Sequence, residues 1–126
     1  MRFLVVDDAA VARAVFGELA RELGHEIAGN AADTEAAVLA LRELSVDAVV
    51  LDGRLPPPGA LAAISLLRAA APGAAILVVA ALGESELVRA AIAAGADGAL
   101  RRPLTLARLR AALESLQDAS QPGFAN

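Results

Sequence analysis

Acidic side chains directly follow two short apolar runs of the sequence. Asp7 and Asp8 come after FLVV (residues 3–6), and Asp52 comes after AVVL (48–51). If the two runs are neighbouring strands, the three carboxylates lie close together and repel one another, so at least one pKa should be raised. Mg²⁺ would relieve this repulsion, because it prefers oxygen ligands, usually one or two carboxylates with waters and a phosphate. A carboxylate beside such a cation can also act as a nucleophile and form an aspartyl-phosphate.

A simpler interpretation exists for each aspartate taken alone. Aspartate is common at strand ends as a helix cap or a turn former, and Asp8 alone could be such a cap. The combination of VVDD, VVLD and the Leu55-Pro56 turn is what favours a shared site. Other metal chemistries are restricted, because the chain has no cysteine and a single histidine, His25, which we interpret as a structural surface residue.

Apolar runs predict five strands, and helical spacing predicts five helices between them. One more strong run, AILVVA (75–80), and two weaker ones, EIAG (26–29) and GALR (98–101), complete the five strands. Helical spacing follows each of them, as in Val11, Val15, Leu19 and Leu23. Gly24 suits a helix C-terminus, and Asp33 or Thr34 and Thr105 suit helix N-caps.

Strict alternation of strand and helix predicts an α/β fold, a (βα)5 doubly wound parallel five-stranded sheet with helices on both faces. In such sheets a ligand site lies beyond the carboxyl ends of the strands. The predicted strand ends carry Asp7-Asp8, Asp52, Ala80-Ala81 and Arg101-Arg102. These are therefore the positions at which the sequence predicts a site.

The chain has the length of one ordinary domain, which we place at residues 1–117. Residues 118–126, with Gln, Pro, Gly and Ser, are predicted to be a flexible tail or a truncated linker. The apolar runs are too short for a bilayer span, and the N-terminus lacks the pattern of a signal peptide, so we expect a cytoplasmic protein. The net charge is −4 and the only basic run is Arg101-Arg102, so we expect no direct binding of nucleic acid.

FLVVDD, DAVVLDGRLP, GADGALRRP and the order of the elements between them resemble the receiver domain of two-component response regulators. The resemblance covers residues 2–117 and is closest in size to the single-domain chemotaxis type. It implies a flavodoxin-like receiver fold. It also implies a phosphoacceptor signalling domain that is not an enzyme and that at most phosphorylates and dephosphorylates itself.

The resemblance also implies a role for each site position. Asp52 matches the phosphoacceptor, and Asp7 and Asp8 match the acidic pair that binds Mg²⁺ directly or through water. Arg54 stands where the family lends a backbone carbonyl to the metal. Arg102-Pro103 stands where the family has Lys-Pro, commonly joined by a cis peptide bond, so Arg102 is predicted to contact phosphate.

Three positions depart from the family pattern. Ala80 replaces a Ser or Thr that hydrogen-bonds the phosphoryl group, and Ser85 lies too far along to replace it. Ala99 replaces the aromatic switch residue, and Arg102 replaces lysine in a chain that contains no lysine at all. Without a metal, Arg102 could form an ion pair with Asp52. These departures predict an unusual switch.

Two function hypotheses therefore stand beside each other, and a third is weaker. The first is a receiver that accepts a phosphoryl group on Asp52 from a sensor histidine kinase or a phosphotransfer protein. The second is a pseudo-receiver, a protein-binding module that works without phosphorylation. The third is an unrelated α/β enzyme or nucleotide binder, for which the sequence has no Gly-rich loop.

The resemblance also predicts where partners bind. A downstream effector, or a second copy in a homodimer, would use the face made by the fourth helix, the fifth strand and the fifth helix. Arginines on that face could line the interface, although solvated helix faces are the commoner explanation; they are Arg89, Arg101, Arg108 and Arg110.

Overall fold

The computed structural model describes residues 1–120 and contains five parallel strands that alternate with five helices. The elements are, in chain order, β1 (Arg2–Val6), α1 (Ala10–Glu22), β2 (Glu26–Ala31), α2 (Thr34–Glu43), β3 (Ala48–Asp52), α3 (Ala60–Ala70), β4 (Ala75–Ala81), α4 (Ser85–Ala93), β5 (Gly98–Arg102) and α5 (Leu106–Ser120). The strand order is β2-β1-β3-β4-β5. The predicted (βα)5 doubly wound parallel sheet is confirmed.

The two faces of the sheet bury two separate apolar clusters, because successive strand residues point to opposite sides. On β1, Leu4 and Val6 join the cluster under α2, α3 and α4, which includes Ile64 and Leu67. Phe3 and Val5 join the cluster under α1 and α5. Within that second cluster the rings of Phe3 and Phe16 meet edge to face with centroids 5.3 Å apart. Burial on both faces explains why the central strands are uninterrupted apolar runs.

Local signals in the sequence end and begin the helices as predicted. Gly24 follows α1 with a φ of 85°, a left-handed conformation that glycine adopts without steric cost. The Asp33 carboxylate accepts a hydrogen bond from the Ala36 N–H at 2.8 Å and caps α2. The Thr105 hydroxyl accepts from the Arg108 N–H at 3.1 Å at the start of α5. Ser85 begins α4, as expected.

The boundaries differ from the predicted ones at several strand ends and at the end of the chain. Strands β3 and β5 extend to Asp52 and Arg102, because backbone pairing continues where the side chains become polar. Helix α5 continues to Ser120, three residues into the predicted tail, since the sequence has no helix-breaking residue before Pro122. The rest of that predicted tail, 121–126, lies outside the described residues.

Within residues 1–120, two X-Pro peptide bonds are cis. One joins Pro57 to Pro58 in the loop before α3, and the other joins Arg102 to Pro103, as the resemblance implied. Among residues 1–120 no helix has the length and apolar character needed to span a bilayer.

Candidate functional site

The three aspartates meet at the carboxyl edge of the sheet because β1 and β3 are neighbours in parallel register. Val6 lies opposite Leu51, so the residues that follow them, Asp7 and Asp52, emerge side by side. One carboxylate oxygen from each of Asp7, Asp8 and Asp52 lies within 4.8 Å of the others. Asp7 and Asp52 are buried, whereas Asp8 is exposed. We call this group the acidic pocket.

Burial and repulsion perturb the acidic pocket as the sequence predicted. Burial raises the pKa of Asp7, and the neighbouring charges of Asp52 and Asp8 raise it further. Two contacts act in the opposite direction, namely the hydrogen bond from the Ala9 N–H to Asp7 Oδ1 at 2.9 Å and the charge of Arg102. The net shift is upward, so the protein without a metal holds this carboxylate in an unfavourable ionised state.

The two oxygens of Asp52 have different surroundings. Oδ1 accepts a hydrogen bond from the Arg54 N–H at 3.1 Å and another from Arg102 Nη2 at 2.9 Å. Oδ2 accepts no hydrogen bond from any described group of residues 1–117. One oxygen is therefore fixed by two donors, while the other keeps its lone pairs available for a metal ion or for phosphorus.

Arg102 supplies the positive charge beside the acidic pocket. Its Nη2 lies 2.9 Å from Asp52 Oδ1 and 3.8 Å from Asp7 Oδ2. Its position follows from the sheet, because Arg102 is the last residue of β5 and pairs with Ala81 of β4. The ion pair between Arg102 and Asp52, predicted for the state without a metal, is therefore present.

Gly53 fixes Asp52 against the neighbouring strand. The Gly53 N–H donates to the Val79 carbonyl at 2.9 Å, which continues the pairing of β3 with β4 past Asp52. A Cβ at position 53 would lie 2.8 Å from that same carbonyl oxygen and 2.8 Å from a methyl group of Leu87. Only glycine fits this close approach, so the backbone beside Asp52 is held in one register.

The donor set of the acidic pocket suits a hard divalent cation. It offers three carboxylates, and one side is open to water through the exposed Asp8. Mg²⁺ retains several waters and binds through few carboxylates, so a partly open set of this kind fits it. The lack of cysteine and of further histidine excludes the thiolate and His-rich sites that transition metals prefer.

The strands β4 and β5 contribute neither a hydroxyl nor an aromatic ring to the pocket. Ala80 is fully buried at the end of β4, and Ala99 lies opposite Val78 on β5. Ser85, the first residue of α4, is exposed. Ala80 and Ala99 therefore bring no hydroxyl or ring to these strands, whereas the third departure, Arg102, keeps a positive charge beside the pocket.

Sequence reasoning missed the polar contacts that hold the loop between β4 and α4. The Glu84 carboxylate accepts from the Ala81 N–H at 2.7 Å and from Arg54 Nε at 2.7 Å. These two donors lower the pKa of Glu84, the Ala81 N–H having the larger effect. On the other side, Arg101 Nη1 donates to the carbonyls of Ala81 at 2.9 Å and Leu82 at 3.2 Å.

No sequence signal could have found these contacts. A capping pattern would need Ser or Thr three residues before Glu84, where the chain has Ala81. Arginine bonds to backbone carbonyls have no sequence signature at all. The same holds for Arg13, whose Nη1 donates to the Asp7 carbonyl at 2.6 Å.

Comparison with known proteins identifies the family. The sequence profile of the response regulator receiver domain matches residues 3–114. This chain belongs to the response regulator receiver family. The receiver is 34% identical over 115 residues to the chemotaxis protein CheY of Thermotoga maritima, and the match covers 91% of this chain and 96% of that relative.

Two further comparisons place the receiver among longer and solved relatives. It is 38% identical over 112 residues to protein-glutamate methylesterase/protein-glutamine glutaminase 5 of Myxococcus xanthus, covering 87% of this chain but 32% of that protein. The crystal structure of a LuxR-family two-component response regulator from Aurantimonas sp. SI85-9A1 superposes with a TM-score of 0.82 at 30% identity. That superposition covers 98% of this chain and 91% of the solved one. The acidic pocket of this receiver is suited to Mg²⁺ and to accepting a phosphoryl group.

Proposed function

We propose that this receiver accepts a phosphoryl group on Asp52 from the phosphohistidine of a sensor kinase or phosphotransfer protein. The observation that carries the proposal is the position of Asp52. Its buried carboxylate lies among two other carboxylates and 2.9 Å from a guanidinium, with one oxygen free of hydrogen bonds from the described residues. Such an oxygen is a nucleophile placed beside a charge that can bind the incoming phosphate.

The transfer is a substitution at phosphorus. A bond forms between an Asp52 carboxylate oxygen and phosphorus, while the bond from phosphorus to the donor imidazole nitrogen breaks. The leaving imidazole keeps the electron pair and takes up a proton. Arg102, which binds Asp52 in the structure, would instead contact the phosphoryl oxygens, and the Arg54 N–H would hold the second carboxylate oxygen in place.

Asp7, Asp8 and Asp52 would hold Mg²⁺, and the backbone carbonyl of Arg54 stays a predicted fourth ligand. When bound, the ion supplies positive charge that neutralises the carboxylates and the phosphoryl oxygens. The raised pKa of Asp7 supports this assignment, because a cation removes the cause of the shift. The Ala9 N–H donates a hydrogen bond to the Asp7 carboxylate and so orients it.

We further propose that the functional unit is residues 1–117 and that it acts as a signalling domain, with no catalysis beyond its own phosphorylation and dephosphorylation. The cytoplasmic location expected from the sequence stays a prediction. A downstream effector would bind the face formed by α4, β5 and α5. On that face Arg89 and Arg110 are exposed, whereas Arg101 and Arg108 donate to backbone carbonyls and are partly buried. The first two are therefore the better candidates for partner contacts.

Intact-mass spectrometry after incubation with acetyl phosphate and Mg²⁺ tests the proposal. The wild-type protein should gain the mass of one phosphoryl group, and the gain should disappear with a chelator and in Asp52→Asn. The matched control is Asp33→Asn, because asparagine is an equally good helix cap and Asp33 is not one of the three carboxylates of the acidic pocket. A wild-type mass that never changes with this donor or with a phosphorylated kinase would refute phosphoryl acceptance.

The pseudo-receiver alternative is not favoured. A module that works without phosphorylation has no need to keep the acidic pocket, yet all three carboxylates and the neighbouring cation are brought together. The match to the receiver family over residues 3–114 likewise disfavours an unrelated enzyme or nucleotide binder.

A further inference from the structure

Helix α2 carries a mixed apolar and charged stripe that lies mostly on its exposed side, with Val38 half-buried against the core. Its buried side holds Ala37 and Leu41. The stripe consists of Glu35, Val38, Leu39 and Arg42, whose spacing of three, four and seven residues puts them on one side of a helix. Leu39 is 52% exposed, which is a large apolar surface in the middle of the stripe.

A groove between α2 and α3 extends this apolar surface. Its wall on α3 is Leu66, itself 50% exposed, and Pro58 closes one end. The groove has a volume of about 500 Å³ and is lined by Val38 and Leu39 from α2. Two half-exposed leucines on adjacent helices therefore share one concave surface, and an apolar surface of that kind gains free energy when it is covered.

The charges at the two ends of the stripe have no partner among the residues that the structure describes. Glu35 and Arg42 are exposed, and neither forms an ion pair or a side-chain hydrogen bond in the part of the chain that the structure describes. Their order along the helix is acidic, apolar, apolar, basic. A second stripe running antiparallel would set each charge opposite its complement and each apolar residue opposite an apolar one.

We propose that this stripe binds the same stripe of a second copy of the chain. The two-fold axis passes between Val38 and Leu39, so Glu35 of each copy faces Arg42 of the other. Val38 likewise faces Leu39, and Leu66 from each α3 covers the flank. Both copies use the same patch, as a closed two-fold dimer requires.

The size of the patch predicts weak association. A helix of ten residues is about 15 Å long, so the contact lies below the standard interface of about 1,600 Å². We expect a dissociation constant of about 10 µM to 1 mM. This dimer would lie on the α2 and α3 side, apart from the α4, β5 and α5 face, and it does not depend on phosphorylation of Asp52.

Single-cysteine cross-linking tests the proposal directly, because the natural sequence contains no cysteine. In Leu39→Cys the two thiols lie across the axis, and mild oxidation should form a covalent dimer. The matched control is Val15→Cys on α1, where the side chain is 43% exposed and lies on neither the α2 stripe nor the α4, β5 and α5 face. We expect dimer to form at least about tenfold faster at position 39, as a specific weak complex implies. Equal rates at the two positions, or a faster rate at 15, would overturn the proposal.

Charge reversal in the Leu39→Cys background tests the register. Glu35→Arg and Arg42→Glu should each slow cross-linking about tenfold, since each reversal turns two attractive contacts of the dimer into repulsive ones. Mixing the two single variants should restore the rate as a heterodimer, because both pairs again have opposite signs.

The double variant Glu35→Arg/Arg42→Glu distinguishes a loss of charge pairing between the copies from a loss of stability of helix α2. Both changes oppose the helix dipole, so α2 is least stable in this variant. The swapped pairs are nevertheless complementary, and cross-linking should recover to within about threefold of the parent rate. Circular dichroism checks that every variant is folded. Failure of both the mixture and the double variant to recover would exclude the antiparallel register and with it the proposal.

Discussion

The carboxyl edge of the sheet has two halves that hold their loops in different ways. At the ends of β1 and β3, the acidic pocket places three carboxylates within reach of one cation. On β4 and β5, Ala80 and Ala99 stand where resembling receivers have a hydroxyl that contacts phosphate and an aromatic switch residue. The half at β1 and β3, the acceptor half, keeps its three carboxylates, whereas the half at β4 and β5 lacks the hydroxyl and the ring.

The second half is ordered by arginine contacts. Arg54 reaches Glu84, which also binds the Ala81 N–H, and Arg101 binds the Ala81 and Leu82 carbonyls. The loop between β4 and α4 is therefore tied to the ends of both β3 and β5. A loop held by charged hydrogen bonds to its backbone does not need a hydroxyl or a ring in order to have a defined conformation.

Removing Asp7 and Asp8, the two proposed metal ligands that follow β1, should have the largest effect on the acceptor half. In Asp7→Asn/Asp8→Asn, phosphoryl incorporation from acetyl phosphate should fall at least about 100-fold, since even indirect partners of metal ligands contribute 10- to 100-fold. Intact-mass spectrometry over time measures the rate. Glu86→Gln, an exposed acid on α4, should behave as the wild type. Wild-type incorporation in the double variant would show that Asp52 reacts without a metal.

Arg102 joins the two halves, and its removal should have the next largest effect. In Arg102→Ala the rate of incorporation should fall about 10- to 100-fold, because a hydrogen bond to a charged group contributes about 1.5 to 3 kcal/mol. Arg102→Lys should lie between, since lysine keeps the charge and loses the planar fork. The same mass assay applies, with Arg110→Ala, an exposed arginine of α5, as control. A faster reaction in Arg102→Ala would mean that the ion pair with Asp52 mainly blocks the acceptor.

Introducing a hydroxyl at position 80 should give the half at β4 and β5 a hydrogen-bond donor for the phosphoryl group. Ala80→Thr and Ala80→Val have nearly the same shape, and only threonine can donate to a phosphoryl oxygen. Because Ala80 is fully buried, both changes should lower the free energy of unfolding by about 1 to 3 kcal/mol. Threonine should nevertheless exceed valine in phosphoryl incorporation by about tenfold. Urea denaturation and the mass assay measure the two effects, and equal incorporation would show that a hydroxyl adds nothing to this pocket.

The smallest expected effect is a pH dependence of the free energy of unfolding, which arises from Asp7 in the acceptor half. The pKa of Asp7 is raised above 3.8 in the folded protein, so the folded state holds this proton more tightly than the unfolded state. Without a metal, stability should therefore fall as the pH rises from the unfolded pKa through the folded one. Asp7→Asn should remove this part of the dependence, and Mg²⁺ at neutral pH should raise the free energy of unfolding of the wild type. Urea denaturation with a chelator, repeated at several pH values, measures this dependence. If Asp7→Asn left the change of the unfolding free energy with pH unaltered, Asp7 would not be its source.

The amino-acid sequence predicted the fold and the acidic pocket well, because the fold follows from the buried apolar runs and the pocket from the residues at the ends of the strands. The runs FLVV and AVVL had to be central strands, and parallel neighbours bring Asp7 and Asp52 together. The predicted position of Arg102 also followed, since β5 ends there. The strands and their ends needed only periodicity and the rule that parallel strands end at one edge, whereas the role of Arg102 came from the family resemblance.

The loop contacts could not be predicted, because they depend on backbone conformation between elements. Arg54 and Glu84 are thirty positions apart and meet only because two loops lie side by side. Arg101 binds carbonyl groups, which every residue has, so no pattern marks its partners. The stripe on α2 is a related case, because a solvated helix face and an unpartnered interface have the same spacing.

Gly53 limits how this pocket can be redesigned. Any larger residue there would collide with the carbonyl of Val79, so a library that varies position 53 would mostly return misfolded members. The next position is the opposite, because the Arg54 side chain points outward and is 68% exposed while its N–H stays on Asp52. Attempts to redesign the pocket should therefore begin at residue 54, where a change would remove the ion pair with Glu84 but leave the sheet intact.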